Sequence, residues 1–380
     1  MANDETALVS FIRNTIRERG PVTFRCFMEQ ALYHPEYGFY SSGRCVIGRR
    51  GDYFTNVSVG PLFGRLISAQ FVQVWELLGQ PDDFTIVEQG ADNGDFARDA
   101  LEAVRVDRPE FFDALRYRIV EPFPNLQHRQ ETMLKMFQEK IGWRKSLEQV
   151  QPFTGVHFSN ELIDAMPVHL IGAAKNAWEE KYVTSVEKNF EFTTGPLSTK
   201  ELCQHLKKLP APPTSNYETE VNLAALDWIE MLSGKLVRGF VLAVDYGYPR
   251  DEFFAPERTT GTLQSYANHR VVPSPLLNAG QTDITAHVEW TSLVERAEEC
   301  GLELAGFTDQ HHFVTAIATA LLLNKLATRD RRALQTLLHP GLLGRTFQFL
   351  ALSKNLRSDS ELTGFKFARP PRPALGLNYR

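Results

Sequence analysis

Apolar and polar positions along the chain change period several times, and each change predicts an element. Residues 5 to 19 (ETALVSFIRNTIRER) carry apolar side chains at helical spacing, and PVTFRCFMEQALYHPEYGFY predicts a second helix ending near His34-Pro35, where proline stops propagation. A glycine- and arginine-rich loop then runs into a helix from Pro61 to Leu78, with Leu62, Leu66, Phe71, Val74 and Leu78 on one face. From residue 84 the periods alternate: strand 84 to 89, helix 94 to 104, strand 116 to 121, helix 125 to 138, strand 155 to 160. After an interruption comes the apolar run GFVLAVD at 239 to 245. Strands alternating with helices of this length predict right-handed βαβ units and a mostly parallel sheet.

The interruption, residues 168 to 235, holds a hairpin pattern, a helix near 198 to 208, the linker LPAPPTSN and a helix from about 219 to 233. The remainder predicts a helix over 290 to 300, a strand over 302 to 307, a helix over 313 to 326 and a last strand around RTFQFLALS. The expected organisation is therefore an N-terminal helical region with a functional loop (1–80), a first core part (81–167), an inserted substrate-facing subdomain (168–235), a second core part (236–355) and an irregular tail (356–380). No internal repeat is visible.

Composition narrows the class of partner. A formal net charge of -5 and scattered tryptophans argue against a nucleic-acid surface, leaving a protein acceptor or a small-molecule substrate, with a homodimer compatible. The most hydrophobic helix candidate, VTAIATALLLNKLA, is too short to span a bilayer and contains Lys325. Cys26, Cys45, Cys203 and Cys300 form no CxxC pair, and the first twenty residues lack a secretory apolar region and carry early acids unlike a mitochondrial presequence. These features suit a cytoplasmic protein. No histidine or cysteine spacing suggests a metal.

The stretch FTIVEQGADNGDFARDAL places a glycine turn between a strand and a helix, the position of a nucleotide-binding loop. Here Asp92 stands where a dinucleotide fingerprint needs its second glycine and Asp95 where it needs its third, and the lysine of a phosphate-binding P-loop is absent. Carboxylates at that helix start repel phosphate. They attract a cationic, phosphate-free nucleoside such as S-adenosylmethionine, with its sulfonium and ammonium groups. Gly90 then supplies the turn and Gly94 the close helix approach, while Glu121, at the tip of the next strand, can accept hydrogen bonds from ribose hydroxyls. Asp92 is expected at the cofactor's amino-acid end. Glu88 and Asp95 also fit a plainer role as acids near a helix N-terminus.

Eight segments in order carry a wider likeness: ALYHPEYGFY, GDYFT with FG following, VEQGADNGDFARDAL, IVEPFPNLQHRQ, FSNELIDAMPVHL, VLAVDYGYP, GTLQSYANH and DITAHVEW. Together they resemble the MidA-like family of S-adenosylmethionine-dependent methyltransferases, which includes a mitochondrial complex I assembly factor that methylates protein arginine. The resemblance implies an α/β fold with a Rossmann-like, seven-stranded class I methyltransferase core, a helical N-terminal region and an inserted small α/β subdomain. It places the cofactor against Asp52, Thr55, the Glu88 to Gly94 loop, Glu121, Asn160 and Glu161. The family continues its GDF.T motif with Ser-Pro-Glu, whereas Asn56, Val57 and Ser58 stand here, a departure that lends weight to a small-molecule acceptor.

In an open parallel sheet the ligand lies beyond the carboxyl ends of the strands. Glu161 and Asp164, three apart after the fourth core strand, are expected to share a helical face and to clamp a guanidinium, whose planar fork pairs two carboxylates. Asp164 as a helix cap and Asn160 as a backbone partner are the alternatives. Tyr217 and Glu220 are expected to line the substrate groove, or else to sit at a solvated helix start, and Tyr246 to face the same rim. His269 and His287 are candidate general bases. The functional readings are methylation of a protein arginine, methylation of a small molecule at O or N, or a cofactor-binding assembly factor without catalysis.

Overall fold

The computed structural model describes residues 6–43, 55–174, 177–267, 270–321, 327–356 and 361–378. The chain forms two compact units: Met1–Phe54 with Ile163–Asp227 and Arg250–Glu289, and Thr55–Leu162 with Trp228–Pro249 and Trp290–Arg380. This departs from the division expected from sequence. The N-terminal helices join the insertion instead of the core, and residues 250 to 289 leave the core to join them.

The second unit is built on seven strands: β1 (Phe84–Gln89), β2 (Leu115–Val120), β3 (Ile141–Arg144), β4 (Phe153–Asn160), β5 (Leu236–Tyr248), β6 (Glu303–Asp309) and β7 (Phe347–Lys354). Their order is β3-β2-β1-β4-β5-β7-β6. The first five are parallel, and β7 inserts antiparallel between β5 and β6. The order reverses between β1 and β4, so the carboxyl ends of those two strands open the crevice where doubly wound sheets bind ligands. The centre of β5 is buried from Phe240 to Asp245, as a strand covered on both faces must be, which is why it reads as a continuous apolar run.

Helices Leu62–Leu77 and Asp95–Asp107 bury Phe63, Leu66, Phe71, Phe96, Ala100 and Leu101. Phe96 stacks on Phe158 of β4 at 4.3 Å between centroids, with Phe71 edge-on to both. Gly64 lets the helices meet: a Cβ there would lie 2.7 Å from Cβ of Asp99 and 3.0 Å from the nitrogen of Ala100. The Phe63-Gly64 pair of the family motif is thus a helix-crossing requirement.

In the first unit, helices Ala7–Arg19 and Phe24–Tyr33 start on threonine caps, with Thr6 and Thr23 accepting from Val9 and Cys26. Leu8, Ile12, Phe24, Phe27 and Leu32 share a core with Val168, Leu170, Val183 and Ile284, which explains why these helices belong with the insertion. The insertion contributes Ala177–Val186, His169–Ala174, Glu218–Val221 and Asn189–Gly195 to a five-stranded antiparallel sheet completed by Val22–Thr23. Residues 218 to 221 are a strand and the helix begins at Leu223, correcting the expected helix start at 219. Thr219, Glu220 and Val221 are all buried, which a strand beside His169–Ala174 achieves and a solvated first turn would not.

Candidate active site

The loop after β1 is shaped by three left-handed residues at alternate positions: Gly90 (φ 81), Asp92 (φ 46) and Gly94 (φ 86). Aspartate tolerates this region better than most side chains, so Asp92 replaces a glycine without breaking the turn. Gly94 caps the helix Asp95–Asp107 and its nitrogen donates to the oxygen of Ala91.

The acids around this loop separate into two sets. Glu88 lies beneath the loop, 3% exposed, accepting the Tyr117 hydroxyl at 2.7 Å, and burial pushes its carboxyl up to about 7 despite that bond. Asp95 and Asp99 both pair with Arg98 at 2.8 Å. Asp92 and Glu121 remain at the rim. Burial raises Asp92 to about 6, opposed by a hydrogen bond from Asn93, and raises Glu121 to about 7, opposed by donors from Phe123 and Gln130. Asp92 is half-buried, not pointed into bulk solvent.

Sequence reasoning missed how Glu121 is held. Its Oε1 accepts from the nitrogen of Phe123 at 3.0 Å and its Oε2 from Nε2 of Gln130 at 2.9 Å. Gln130, fully buried on helix Pro124–Met133, also donates to the oxygen of Asp92 at 2.8 Å and accepts from Nε1 of Trp143 at 2.9 Å. One signal was available: a glutamine nine residues after Glu121, in the family segment that ends HRQ, whose position on an otherwise polar helix gave it no evident role.

At the end of β4, Glu161 is left-handed (φ 55), an uncommon state for a non-glycine residue, and its nitrogen donates to the oxygen of Val244. Asp245 anchors the next residue, accepting from the nitrogens of Leu162 and Tyr246 at 3.2 and 2.8 Å. Leu162 in turn lies 3.5 Å from where a Gly90 Cβ would stand. Asn160 donates Nδ2 to Oε1 of Glu161 at 2.9 Å and accepts from Nδ2 of Asn56 at 3.1 Å. Gly90, Asp92, Gly94, Glu121, Asn160 and Glu161 therefore all stand on the unit built around β1, β2 and β4.

Other expected site residues are placed differently. Thr55 exchanges hydrogen bonds with Ser58, each hydroxyl accepting from the other's backbone nitrogen at 3.2 to 3.3 Å. Tyr246 is half-buried with its ring 4.1 Å from that of Phe347. The expected helical turn joining Glu161 to Asp164 is absent: the segment after β4 is bends and turns, and Asp164 belongs to the other compact unit. There it is buried, its oxygen accepts from Ala286, and its charge joins burial and Asp283 in raising the Tyr33 hydroxyl. Tyr217 and Glu220 are also buried in that unit, correcting their expected place on a groove. The Tyr217 hydroxyl bonds to Ala255, and the Glu220 carboxylate accepts from Thr262 and Leu263. Burial lowers His287 to about 4, leaving it neutral at pH 7. Asp52 and His269 lie outside the described residues.

The rim suits a cationic nucleoside. Each Glu121 oxygen takes one donor from the chain and retains capacity for a ribose hydroxyl, Gly90 is exposed, and Asp92 adds negative charge. Sheet order, glycine loop and acidic strand tip together define a class I S-adenosylmethionine-dependent methyltransferase. A family model described as "Putative S-adenosyl-L-methionine-dependent methyltransferase" matches residues 66–308, and the chain belongs to this family.

Relatives agree across nearly the whole chain. It is 25% identical over 91% of its length to the Drosophila melanogaster protein arginine methyltransferase NDUFAF7 homolog, mitochondrial, covering 84% of that protein. The human protein arginine methyltransferase NDUFAF7, mitochondrial, is 24% identical over 97% of this chain and 88% of its own. A Burkholderia thailandensis protein crystallised with S-adenosyl-homocysteine superposes with a TM-score of 0.86 at 28% identity, covering 96% of this chain and 95% of that one. S-adenosylmethionine is the cofactor, and the expectations of family, fold and methyltransferase activity hold.

Proposed function

We propose that this methyltransferase transfers the methyl group to an arginine side chain of a protein partner. The carrying observation is Glu161, a carboxylate held at the end of β4 in a strained backbone state, on the same unit as the acid-rimmed glycine loop. S-adenosylmethionine supplies an activated methyl on a sulfonium leaving group. What the chain must add is alignment of the nucleophile and a place for one proton. A carboxylate beside the crevice pairs with a guanidinium through two parallel hydrogen bonds, which fixes its plane and presents one nitrogen. The naming of the fly and human relatives as protein arginine methyltransferases supports the same acceptor.

The test is transfer of tritiated methyl from S-adenosylmethionine to host lysate, with protein and small-molecule fractions separated and the protein hydrolysed for methylarginines. Label in methylarginine, lost in Glu161→Gln, is the expected result. Label confined to small molecules overturns the reading. A cytoplasmic setting is proposed with it on the free thiols of Cys26, Cys203 and Cys300, and cell fractionation against a mitochondrial location decides between the two.

A further inference from the structure

Asn56 is fully buried at the mouth of a short 3-10 turn, Val57–Val59. The turn is locked by the reciprocal hydrogen bonds of Thr55 and Ser58, so the position of Asn56 is set before its side chain acts. Its Nδ2 donates to Oδ1 of Asn160 at 3.1 Å, and Nδ2 of Asn160 donates to Oε1 of Glu161 at 2.9 Å. The direction of this chain of amides is not free. With Glu161 ionised its carboxylate only accepts, which agrees with the order of the contacts: Asn160 turns its NH2 to Glu161, its carbonyl oxygen faces Asn56, and Asn56 answers with a donor. The other oxygen, Oδ1 of Asn56, is buried without a hydrogen-bond partner among the described residues, so the bond to Asn160 alone orients the Asn56 amide.

We propose that Asn56 is a positioning residue that acts through Asn160 to hold Glu161 ionised and aimed at the acceptor. This rests on the reading of Glu161 as the guanidinium-binding carboxylate. The residue types make the role specific. An alanine at position 56 removes the donor to Asn160, and an aspartate keeps the shape of the side chain but reverses the demand. With an acid at both ends, Asn160 can satisfy only one of them with its NH2, and the other must carry a proton to donate back to the amide oxygen.

The experiment compares Asn56→Ala, Asn56→Asp and Glu161→Gln in two measurements. The first is carbon-13 NMR titration of side-chain carboxyls in the purified protein, with the Glu161 signal identified by its loss in Glu161→Gln. Asn56→Asp is expected to keep one of the two relay carboxyls protonated through neutral pH. The second is the tritiated-methyl assay on the lysate protein fraction. There Asn56→Ala and Asn56→Asp are expected to lower kcat by about 10-fold with the KM for S-adenosylmethionine nearly unchanged, the size expected for losing orientation of one group. Two carboxyls titrating independently in Asn56→Asp, or normal transfer by Asn56→Ala, overturn the relay. Normal transfer by Glu161→Gln instead overturns the arginine-clamp reading, and the NMR result still judges the relay on its own.

Discussion

Nε2 of Gln130 lies 2.9 Å from Oε2 of Glu121 and 2.8 Å from the backbone oxygen of Asp92, so one buried carboxamide ties the acid at the tip of β2 to the loop after β1. Because Trp143 occupies the Gln130 oxygen, the amide cannot turn over without losing three bonds. Gln130→Leu strands those partners, each at a cost of about 1–3 kcal/mol. The expected outcome is a lower melting temperature and S-adenosyl-homocysteine binding weakened by about 10-fold or more, read by titration calorimetry. Unchanged affinity would show that Glu121 needs no such support.

Glu88 is an acid that opposes folding once ionised. Its folded-state value of about 7 lies above the ordinary value of 4.5, so its relative contribution to stability is full below about 4.5 and is lost as pH rises through about 7. Glutamine keeps an oxygen for the Tyr117 hydroxyl and removes the charge. Glu88→Gln should therefore be more stable than the natural protein at pH 8, by an amount on the order of 1–3 kcal/mol, and equal to it near pH 4.5. Denaturant unfolding at the two pH values checks this; a gain of equal size at both would point to packing instead of charge.

Cofactor affinity should climb with pH. Asp92 and Glu121, raised to about 6 and about 7, must ionise to favour a cationic ligand, so S-adenosylmethionine binds more tightly at pH 8 than at pH 5 and releases protons on binding between pH 6 and 7. Asn tolerates the left-handed backbone at 92, so Asp92→Asn isolates the charge. Calorimetry in buffers of different ionisation enthalpy should show weaker binding and a flatter pH dependence at the acid end for this variant.

His157, in the middle of β4, is fully buried, and neither ring nitrogen has a hydrogen-bond partner among the described residues; its ring meets Trp228 edge-on at 5.5 Å. Burial lowers it to about 3, against an ordinary value of 6.5. Its neutral state therefore costs nothing above pH 6.5, and stability is lost as pH falls from 6.5 towards 3, because only the unfolded chain takes up the proton. His157→Leu should unfold less readily at pH 5 than the natural protein. Identical acid-unfolding curves would assign the acid sensitivity to other groups.

The core was legible because its signals are local. The helix Leu62–Leu77, strands β1, β2, β4 and β5 and the glycine loop fall close to where periodicity placed them, and the expected cofactor, S-adenosylmethionine, holds. The edge strand β3 escaped notice because its four residues, Ile141–Arg144, are too few to show a period, and pairing with β2 creates it. The strand Glu218–Val221 was misread because its acids resemble a helix start, while hydrogen bonds from Thr262 and Leu263, more than forty residues away, make it profitable to bury Glu220.

Sequence alone determined the element types of the core, the turn at Gly90 and the excess of negative charge around it, since these depend on neighbours within a few residues. Tertiary structure decided which acid does what. Glu88 is withdrawn under Tyr117, Asp95 and Asp99 are taken by Arg98, Glu121 is held by Gln130, and Glu161 is reached through Asn160 from Asn56. It also gathered the N-terminal helices with the insertion around one apolar core. Burial and hydrogen-bond partnership are properties of the packed chain: Asn56 and Asn160 are 104 positions apart, and no local period records that they touch.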